Sequence, residues 1–322
     1  MIHAMTDAAV RPAPPVPTSV SPEAQRFLAT QQRRETQSPA LDDLEGWLAQ
    51  VAEGDKYLLG RFGGIEFPVE AEDTEIAGVH TYVLRGHAVP DSPETPIYLD
   101  IHGGALIMGG GEGCRLMASA NAVVNNMITW APDYRMPPRH PYPAPLDDCM
   151  GVYRALLEQR DPADIFVGGG SAGGNLAAAL VVRARDEGLP LPAALVLISP
   201  EVDLTESGDS FQTNLGVDNV LGLLMQTNLL YANGQDLSHP YLSPLFADVA
   251  GFPPTFLQAG TRDLFLSNTV RMHRKLRDAG VEAELHVWEA MPHGGFAGAP
   301  EDLEVRMEMR RFLDKHRRPT RT

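Results

Sequence analysis

Gly169-Gly170-Ser171-Ala172-Gly173 sets a serine between glycines at positions −2 and +2. A serine hydroxyl can be raised clear of a sheet by a sharp strand-to-helix turn, and such a turn leaves no room for bulk on either flank. Ile165-Phe166-Val167 reads as a strand directly before it, and Asn175–Glu187 reads as a helix directly after, which is the context the turn requires. The hydroxyl is a weak nucleophile, so it needs a base, and the base needs an orienting carboxylate. His293, in Met291-Pro292-His293-Gly294-Gly295, falls in a loop just past the last strand, at the end of the sheet where Ser171 also lies. His286 falls inside that strand, His273 on a helix and His239 in a long insertion. Asp263 closes the loop Gly260-Thr261-Arg262-Asp263 after the preceding strand and is the expected acid, with Glu201 and Asp203, past an earlier strand, as alternatives. Attack on a carbonyl creates an oxyanion that needs preorganised N–H donors. Ala172 opens a helix and offers one amide; Gly104 and Ala105, then Gly103, offer others from His102-Gly103-Gly104-Ala105. The chemistry this set could perform is acyl transfer to a serine and then to water.

Other chemistries fit less well. Gly168-x-Gly170-x-x-Gly173 has the spacing of a dinucleotide loop, but about 20 residues on the chain reads Pro190-Leu191-Pro192 instead of a strand closed by an acid. There is no Gly-Lys-Ser/Thr phosphate loop, no His-Glu-x-x-His and no His/Cys cluster at ligand spacing, so neither a cofactor nor a metal is expected. Nothing in the spacing points to a paired-carboxylate glycosidase. Cys114 and Cys149 are too few for a disulfide framework; Cys149 shares a helical stripe with Leu146, Tyr153 and Leu156 and reads as a core residue.

The elements that must hold these residues alternate along the chain. β-like runs fall at Gly64–Glu70, Val79–Arg85, Ile97–Ile101, Met127–Trp130, Ile165–Val167, Ala194–Ser199, Thr255–Ala259 and Glu284–Trp288. The first two read as an antiparallel pair. Helices fall near Ala144–Gln159, Ala172–Glu187, Asn268–Ala279 and Pro300–Lys315. This pattern predicts an α/β fold with a mostly parallel eight-stranded sheet, helices on both faces, and chemistry beyond the strand C-terminal ends. Residues 1–22, rich in proline, are expected to form a disordered arm. Two helices, near Pro22–Gln37 and Leu41–Val51, follow within residues 23–60. The stretch from Ser199 to Thr255 is too long for a plain connection, and 205–252 reads as an insertion over the strand ends. The catalytic domain is then 61–204 with 253–322. Phe27, Phe211, Leu221 and Leu224 are expected to pack rather than to line a pocket.

Composition narrows the partners. The chain has 322 residues with 26 Lys+Arg against 42 Asp+Glu, a net charge of −16. That balance repels phosphate backbones and anionic membrane surfaces, so no nucleic-acid partner is expected. No apolar run approaches the ~18 residues of a membrane span, and the N-terminus lacks a basic region followed by an apolar one, so a cytoplasmic location is expected.

Taken in order, the motifs resemble those of the hormone-sensitive-lipase-like group of α/β-hydrolases, the bacterial carboxylesterases of that kind, over roughly residues 65 to 315. His102-Gly103-Gly104-Ala105 looks like the family's His-Gly-Gly-Gly. Asp133-Tyr134-Arg135, His140-Pro141-Tyr142-Pro143-Ala144 and Leu146-Asp147-Asp148 resemble its long structural signature, and Gly169 to Leu176 its Gly-x-Ser-Ala-Gly-Gly-Asn-Leu. Ser199-Pro200 with Asp203-Leu204, and Ser243-Pro244-Leu245, resemble its cap-flanking signatures; Asp263 and Met291-Pro292-His293 match its acid and base. Four positions depart: Gly170 stands for Asp or Thr, Ala105 for the third glycine, Arg139 for Glu and Ser267 for a second Asp. The resemblance implies a helical cap from the N-terminal helices and the insertion. It also implies hydrolysis of short- to medium-chain esters without a cofactor, and a homodimer through the last strand, near Glu284–Trp288. A lactone or amide hydrolase with the same triad, or a non-catalytic binding protein on a hydrolase scaffold, is the alternative.

Overall fold

The structure, a computed structural model, describes residues 14–30, 37–62 and 64–318. In chain order its elements are α1 (Pro22–Thr30), α2 (Leu44–Phe62), β1 (Val69–Ile76), β2 (Val79–Gly86), β3 (Ile97–Ile101), α3 (Glu112–Asn125), β4 (Ile128–Pro132), α4 (Ala144–Gln159), β5 (Ile165–Gly170) and α5 (Ala172–Asp186). They continue with β6 (Ala194–Ile198), α6 (Ser210–Thr213), α7 (Met225–Ala232), β7 (Thr255–Gly260), α8 (Leu266–Asp278), β8 (Ala283–Trp288) and α9 (Pro300–His316). The strands form one eight-stranded sheet in the order β1-β2-β4-β3-β5-β6-β7-β8. β1, β2 and β4 pair antiparallel, and every pair from β4 through β8 is parallel. This is the α/β architecture expected from the alternation of elements.

Side-chain alternation explains why helices cover both faces. Tyr98, Phe166, Val196 and Phe256 point to one face and pack with Met309, Phe312 and Leu313 of α9. Their neighbours Leu99, Val167, Leu197 and Leu257 point to the other and pack with Leu176 and Leu180 of α5 and with Leu146, Cys149 and Tyr153 of α4. Each central strand is therefore buried on both sides, as parallel strands must be when crossover helices return over the sheet.

Several elements differ from the sequence reading. The first strand lies at Val69–Ile76, not Gly64–Glu70. It is an edge strand whose acidic residues face water, so it carries little apolar alternation, and those charges blunt an otherwise open edge. The two-residue turn Ala77-Gly78, with φ of 52° and 78°, fixes its pairing with β2. Helix α3 was not anticipated. A run of glycines precedes it, and its buried face is made of small residues (Cys114, Ala118, Ala120 and Ala122) that give a weak periodic signal. Helix α2 runs on to Phe62, across the expected boundary at residue 60. Helix α1 ends at Thr30, and the rest of the helix expected to Gln37 falls mostly on 31–36, outside the described residues.

The arm expected to be disordered over 1–22 is ordered where it is described. Val20 is buried, Ser21 bonds the Glu301 carboxylate through its N–H (2.7 Å) and Oγ (2.8 Å), and the Pro15 carbonyl accepts from Arg262 (2.8 Å). Residues 1–13 lie outside the described residues. The insertion 205–252 is also not one layer. Tyr231, Leu242, Leu245, Val249 and Phe252 join the main core beside α4 and α5. Only its earlier part, with Phe211, packs against Leu264 and Phe265 behind the β7 loop, with Leu221 and Leu224 partly buried on the same cluster. Phe27 meets Phe296 edge-on at 6.1 Å. These contacts agree with packing roles for all four side chains. Among the described residues no helix is long and apolar enough to cross a membrane.

Candidate active site

Ser171 joins β5 to α5 at φ 57° and ψ −124°, a backbone region that L-residues rarely occupy. The flanking glycines make this turn fit. A Cβ on Gly169 would lie 2.5 Å from the Gly173 carbonyl oxygen and 2.5 Å from the Ile101 oxygen, and one on Gly173 would lie 1.9 Å from the Ile101 oxygen. The first turn of α5 thus rests directly on the end of β3. At Gly170 the nearest atom to such a Cβ is 3.6 Å away, an ordinary contact, so this departure from the family pattern has no steric cause.

Three loops past the ends of β5, β7 and β8 bring the predicted triad residues together. His293 Nε2 lies 2.9 Å from Ser171 Oγ, and His293 Nδ1 lies 3.1 Å from Asp263 Oδ1. An Nδ1–H donated to the carboxylate leaves Nε2 free to accept the serine proton, a tautomer assigned from the hydrogen-bond pattern. Phe265 N–H donates to the same Asp263 oxygen (2.8 Å), and the Phe265 ring meets the imidazole edge-on at 4.9 Å. The β7 and β8 loops are stitched by Arg262 N–H to Met291 O (3.2 Å) and Ala290 N–H to Thr261 Oγ1 (2.7 Å). Both Asp263 and His293 are buried.

Burial lowers the imidazole pKa, but the charge and hydrogen bond of Asp263, then the charges of Asp218 and Glu201, outweigh it and leave it raised. The base must be neutral to accept the serine proton. Activity through this residue is therefore lost as pH falls through the raised pKa. The acid limb of kcat/KM, measured from about pH 5 to 9, should lie above the ordinary histidine value of about 6.5. A limb at or below that value would contradict the assignment.

The second loop follows β3. Gly104, Ala105 and Leu106 have φ of 131°, 52° and 64°, and the Gly104 carbonyl accepts from Ile107 (3.1 Å) and Met108 (3.0 Å). A Cβ on Gly103 would lie 3.4 Å from Ser171 Cβ, so this backbone runs against the serine. His102 braces the loop. Its ring stacks on Tyr134 at 4.1 Å, its Nδ1 lies 2.8 Å from Gly103 O, and Tyr134 Oη donates to His102 O (2.7 Å). Ala172 is the first residue of α5, where amides have no intrahelical acceptor. Gly103 and Ala172 therefore border the Ser171 turn from two sides, with Gly104 and Ala105 following Gly103 in the first loop.

Residues 98–297 match the α/β-hydrolase-fold family. The chain belongs to that family. It is 32% identical to an esterase of Acinetobacter venetianus, over 69% of this chain and 74% of that one. It is 34% identical to an acetyl-hydrolase of Streptomyces hygroscopicus, over 61% of this chain and 66% of that one. Among solved structures, an esterase superposes with a TM-score of 0.86 at 36% identity, covering 96% of this chain and 98% of the other. An esterase of the bacterial hormone-sensitive lipase family superposes at 0.79 with 32% identity, covering 92% and 98%. The likeness to the hormone-sensitive-lipase group stated from the motifs thus holds over nearly the whole α/β-hydrolase.

Neither of the two alternative acids is hydrogen-bonded to the His293 ring, whose nitrogens meet Ser171 and Asp263. Asp203 bonds Thr205, Ser207 and Arg271, the last at 2.6 Å. Glu201 is buried, and its backbone N–H donates to Ser171 O (3.2 Å). Burial pushes its carboxyl up to about 8, and its charge, when it ionises, favours the His293 imidazolium. Near the Arg139 departure, the turn's ion pair is formed by Arg135 and Asp148 at 2.6 Å. Ser267, in place of the second Asp, exchanges hydrogen bonds with Ser210: Ser210 N–H to Ser267 Oγ (2.8 Å) and Ser267 N–H to Ser210 Oγ (2.9 Å).

Sequence reasoning missed Asn214 and Asp218. Asn214 Nδ2 donates to the carbonyls of Thr261 (3.2 Å) and Asp263 (2.8 Å). Asp218, wholly buried, accepts from amides in both triad loops, of Leu264 (2.9 Å) and His293 (3.3 Å). An Asn and an Asp beside Gly216 read only as turn formers, and the contacts that give them another use come from residues far along the chain.

Proposed function

We propose that this α/β-hydrolase is a serine carboxylesterase that hydrolyses short- to medium-chain carboxylic esters through an acyl-enzyme. The observation that carries the proposal is the continuous relay from Ser171 Oγ through both ring nitrogens of His293 to Asp263, at 2.9 and 3.1 Å. Ser171 Oγ attacks the ester carbonyl while His293 Nε2 takes its proton. Asp263 holds the tautomer and stabilises the imidazolium. The oxyanion forms in the gap between the His102–Ala105 loop and the head of α5, where the amides of Gly104, Ala105 and Ala172, with Gly103 beside them, can receive it. Collapse expels the alcohol, which takes the proton from His293. Water then attacks the acyl-serine, with His293 again as base, and releases the acid.

The cap belongs to the same proposal. Helix α2 reaches both edges of the site, with Asp55 accepting from Gly109 N–H (2.7 Å) after the oxyanion loop and Arg61 directed at the Gly294 carbonyl (3.5 Å) beside His293. A cover of this kind excludes water from the reacting atoms. The alanine methyl at 105 stands where the family's third glycine leaves open space, which favours small acyl groups.

The test is hydrolysis of p-nitrophenyl esters from acetate to dodecanoate, alongside lactones and anilides, with stoichiometric labelling by an organophosphate. Turnover is expected to be highest at the short esters and to vanish with labelling. Faster turnover of a lactone or anilide would move the substrate class. Absence of both turnover and labelling would overturn the serine mechanism.

A further inference from the structure

The segment before α7 reaches behind the triad with one carboxylate. Asp218 Oδ1 accepts N–H from Val220 (2.9 Å) and Leu221 (3.0 Å); Oδ2 accepts from Leu264 (2.9 Å) and His293 (3.3 Å). Leu264 follows the triad acid in sequence, and His293 is the base itself. A single buried group therefore joins the insertion, the acid loop and the base loop. Burying a carboxylate is costly unless its lone pairs are filled. Here four amides fill them, and two of the four come from the triad loops.

We propose that Asp218 is a positioning residue for the reaction, holding the Leu264 and His293 amides on one oxygen so that Asp263 and His293 keep their register, while its charge favours the imidazolium formed as Ser171 attacks. The inference rests on the serine-esterase reading above. Asn214 supports the same junction without charge, through its bonds to the Thr261 and Asp263 carbonyls. The acidic groups that act on the imidazole are Asp263, Asp218 and Glu201. The Phe265 ring meets the imidazole edge-on, and the Arg61 guanidinium lies 3.5 Å from the neighbouring Gly294 carbonyl. Burial and the charge of Asp263 push the Asp218 carboxyl up to about 6. It is therefore ionised across the range where His293 is a working base.

Asp218→Asn keeps the shape but removes the charge and points an NH2 group at one pair of amides. In p-nitrophenyl butyrate hydrolysis, kcat should fall about 10- to 100-fold, the loss expected from sub-ångström to 1 Å misplacement, with KM within about twofold. A negative charge near a histidine raises its pKa, so the acid limb of kcat/KM should move to lower pH. Asn214→Ala should lower kcat and leave the limb in place. A native kcat in Asp218→Asn, or a reduced kcat with an unmoved limb, overturns the proposal, the second result marking Asp218 as merely structural. Amide hydrogen exchange on the native chain needs neither a folded variant nor activity. The Leu264 and His293 amides should both be slow, and rapid exchange of either overturns the shared anchor. Because that readout is independent of turnover, a native chain that neither hydrolyses esters nor reacts with the organophosphate would fail the esterase reading separately.

Discussion

Ser171→Ala is expected to lower kcat for p-nitrophenyl butyrate by about 10⁴-fold or more and to leave the thermal midpoint almost unchanged. The rate follows from the chemistry: without Oγ there is no atom to form the acyl-enzyme, and what is left comes from binding and the oxyanion donors. The stability follows from the backbone. Alanine inherits the φ of 57° and relieves none of its cost, and Oγ contributes only its bond with His293. Ser171→Gly separates the two effects. Glycine occupies that region freely, and holding another residue there costs about 1–3 kcal/mol. The glycine variant should therefore be as inactive as the alanine variant and yet melt above the native protein. Substantial turnover in either variant would show that hydrolysis does not pass through this serine. A glycine variant that melts lower would show that the turn is not strained.

Gly173→Ala is expected to damage both stability and rate, although position 173 contributes no reacting group. The added Cβ would lie 1.9 Å from the Ile101 oxygen and 2.7 Å from the His102 oxygen, both backbone atoms that cannot rotate away. Either α5 lifts off the sheet or the end of β3 shifts, and each moves one side of the gap proposed to receive the oxyanion. Overpacking typically costs about 1–3 kcal/mol, and a shift near 1 Å at the reacting centre can cost about 100-fold in rate. A clear fall in melting temperature with at least a 100-fold loss of kcat/KM is the expected result by calorimetry and ester kinetics. Gly170→Ala, three residues earlier and with nothing nearer than 3.6 Å, should be close to native in both. Equal behaviour of the two variants would refute this account of the turn.

The contrast between these glycines shows what can be read without coordinates. The need for small residues at −2 and +2 follows from any sharp turn bearing an exposed serine, so 169 and 173 stand out in the sequence. The triad candidates were legible for a similar reason. Strand–helix alternation says which loops share one end of a sheet, and Ser171, Asp263 and His293 are each in such a loop. Helix α3 was not legible, because Cys114 and alanines form its buried face and small side chains give little periodic contrast. Strand β1 was displaced in the reading because an edge strand can be acidic on both faces. Asp218 was invisible in a stronger sense. Its partners are 46 and 75 residues away, and its meaning lies in the meeting of three segments and not in any local pattern.

The division of the insertion between two environments bears on how substrate scope could be changed by recombination. A segment is transplantable between homologous scaffolds when its ends fall where few buried contacts cross. Exchanging all of 205–252 would remove Tyr231, Leu242, Val249 and Phe252 from the body of the protein, and each large side chain lost from such a site costs about 2–5 kcal/mol. Chimaeras cut there should express as insoluble chain whatever the donor. Junctions placed between Leu221 and Leu224 on one side, and before Asn214 on the other, would spare those anchors but sever the Asp218 bridge. The portion of this insertion that can be traded freely is therefore much smaller than its length suggests.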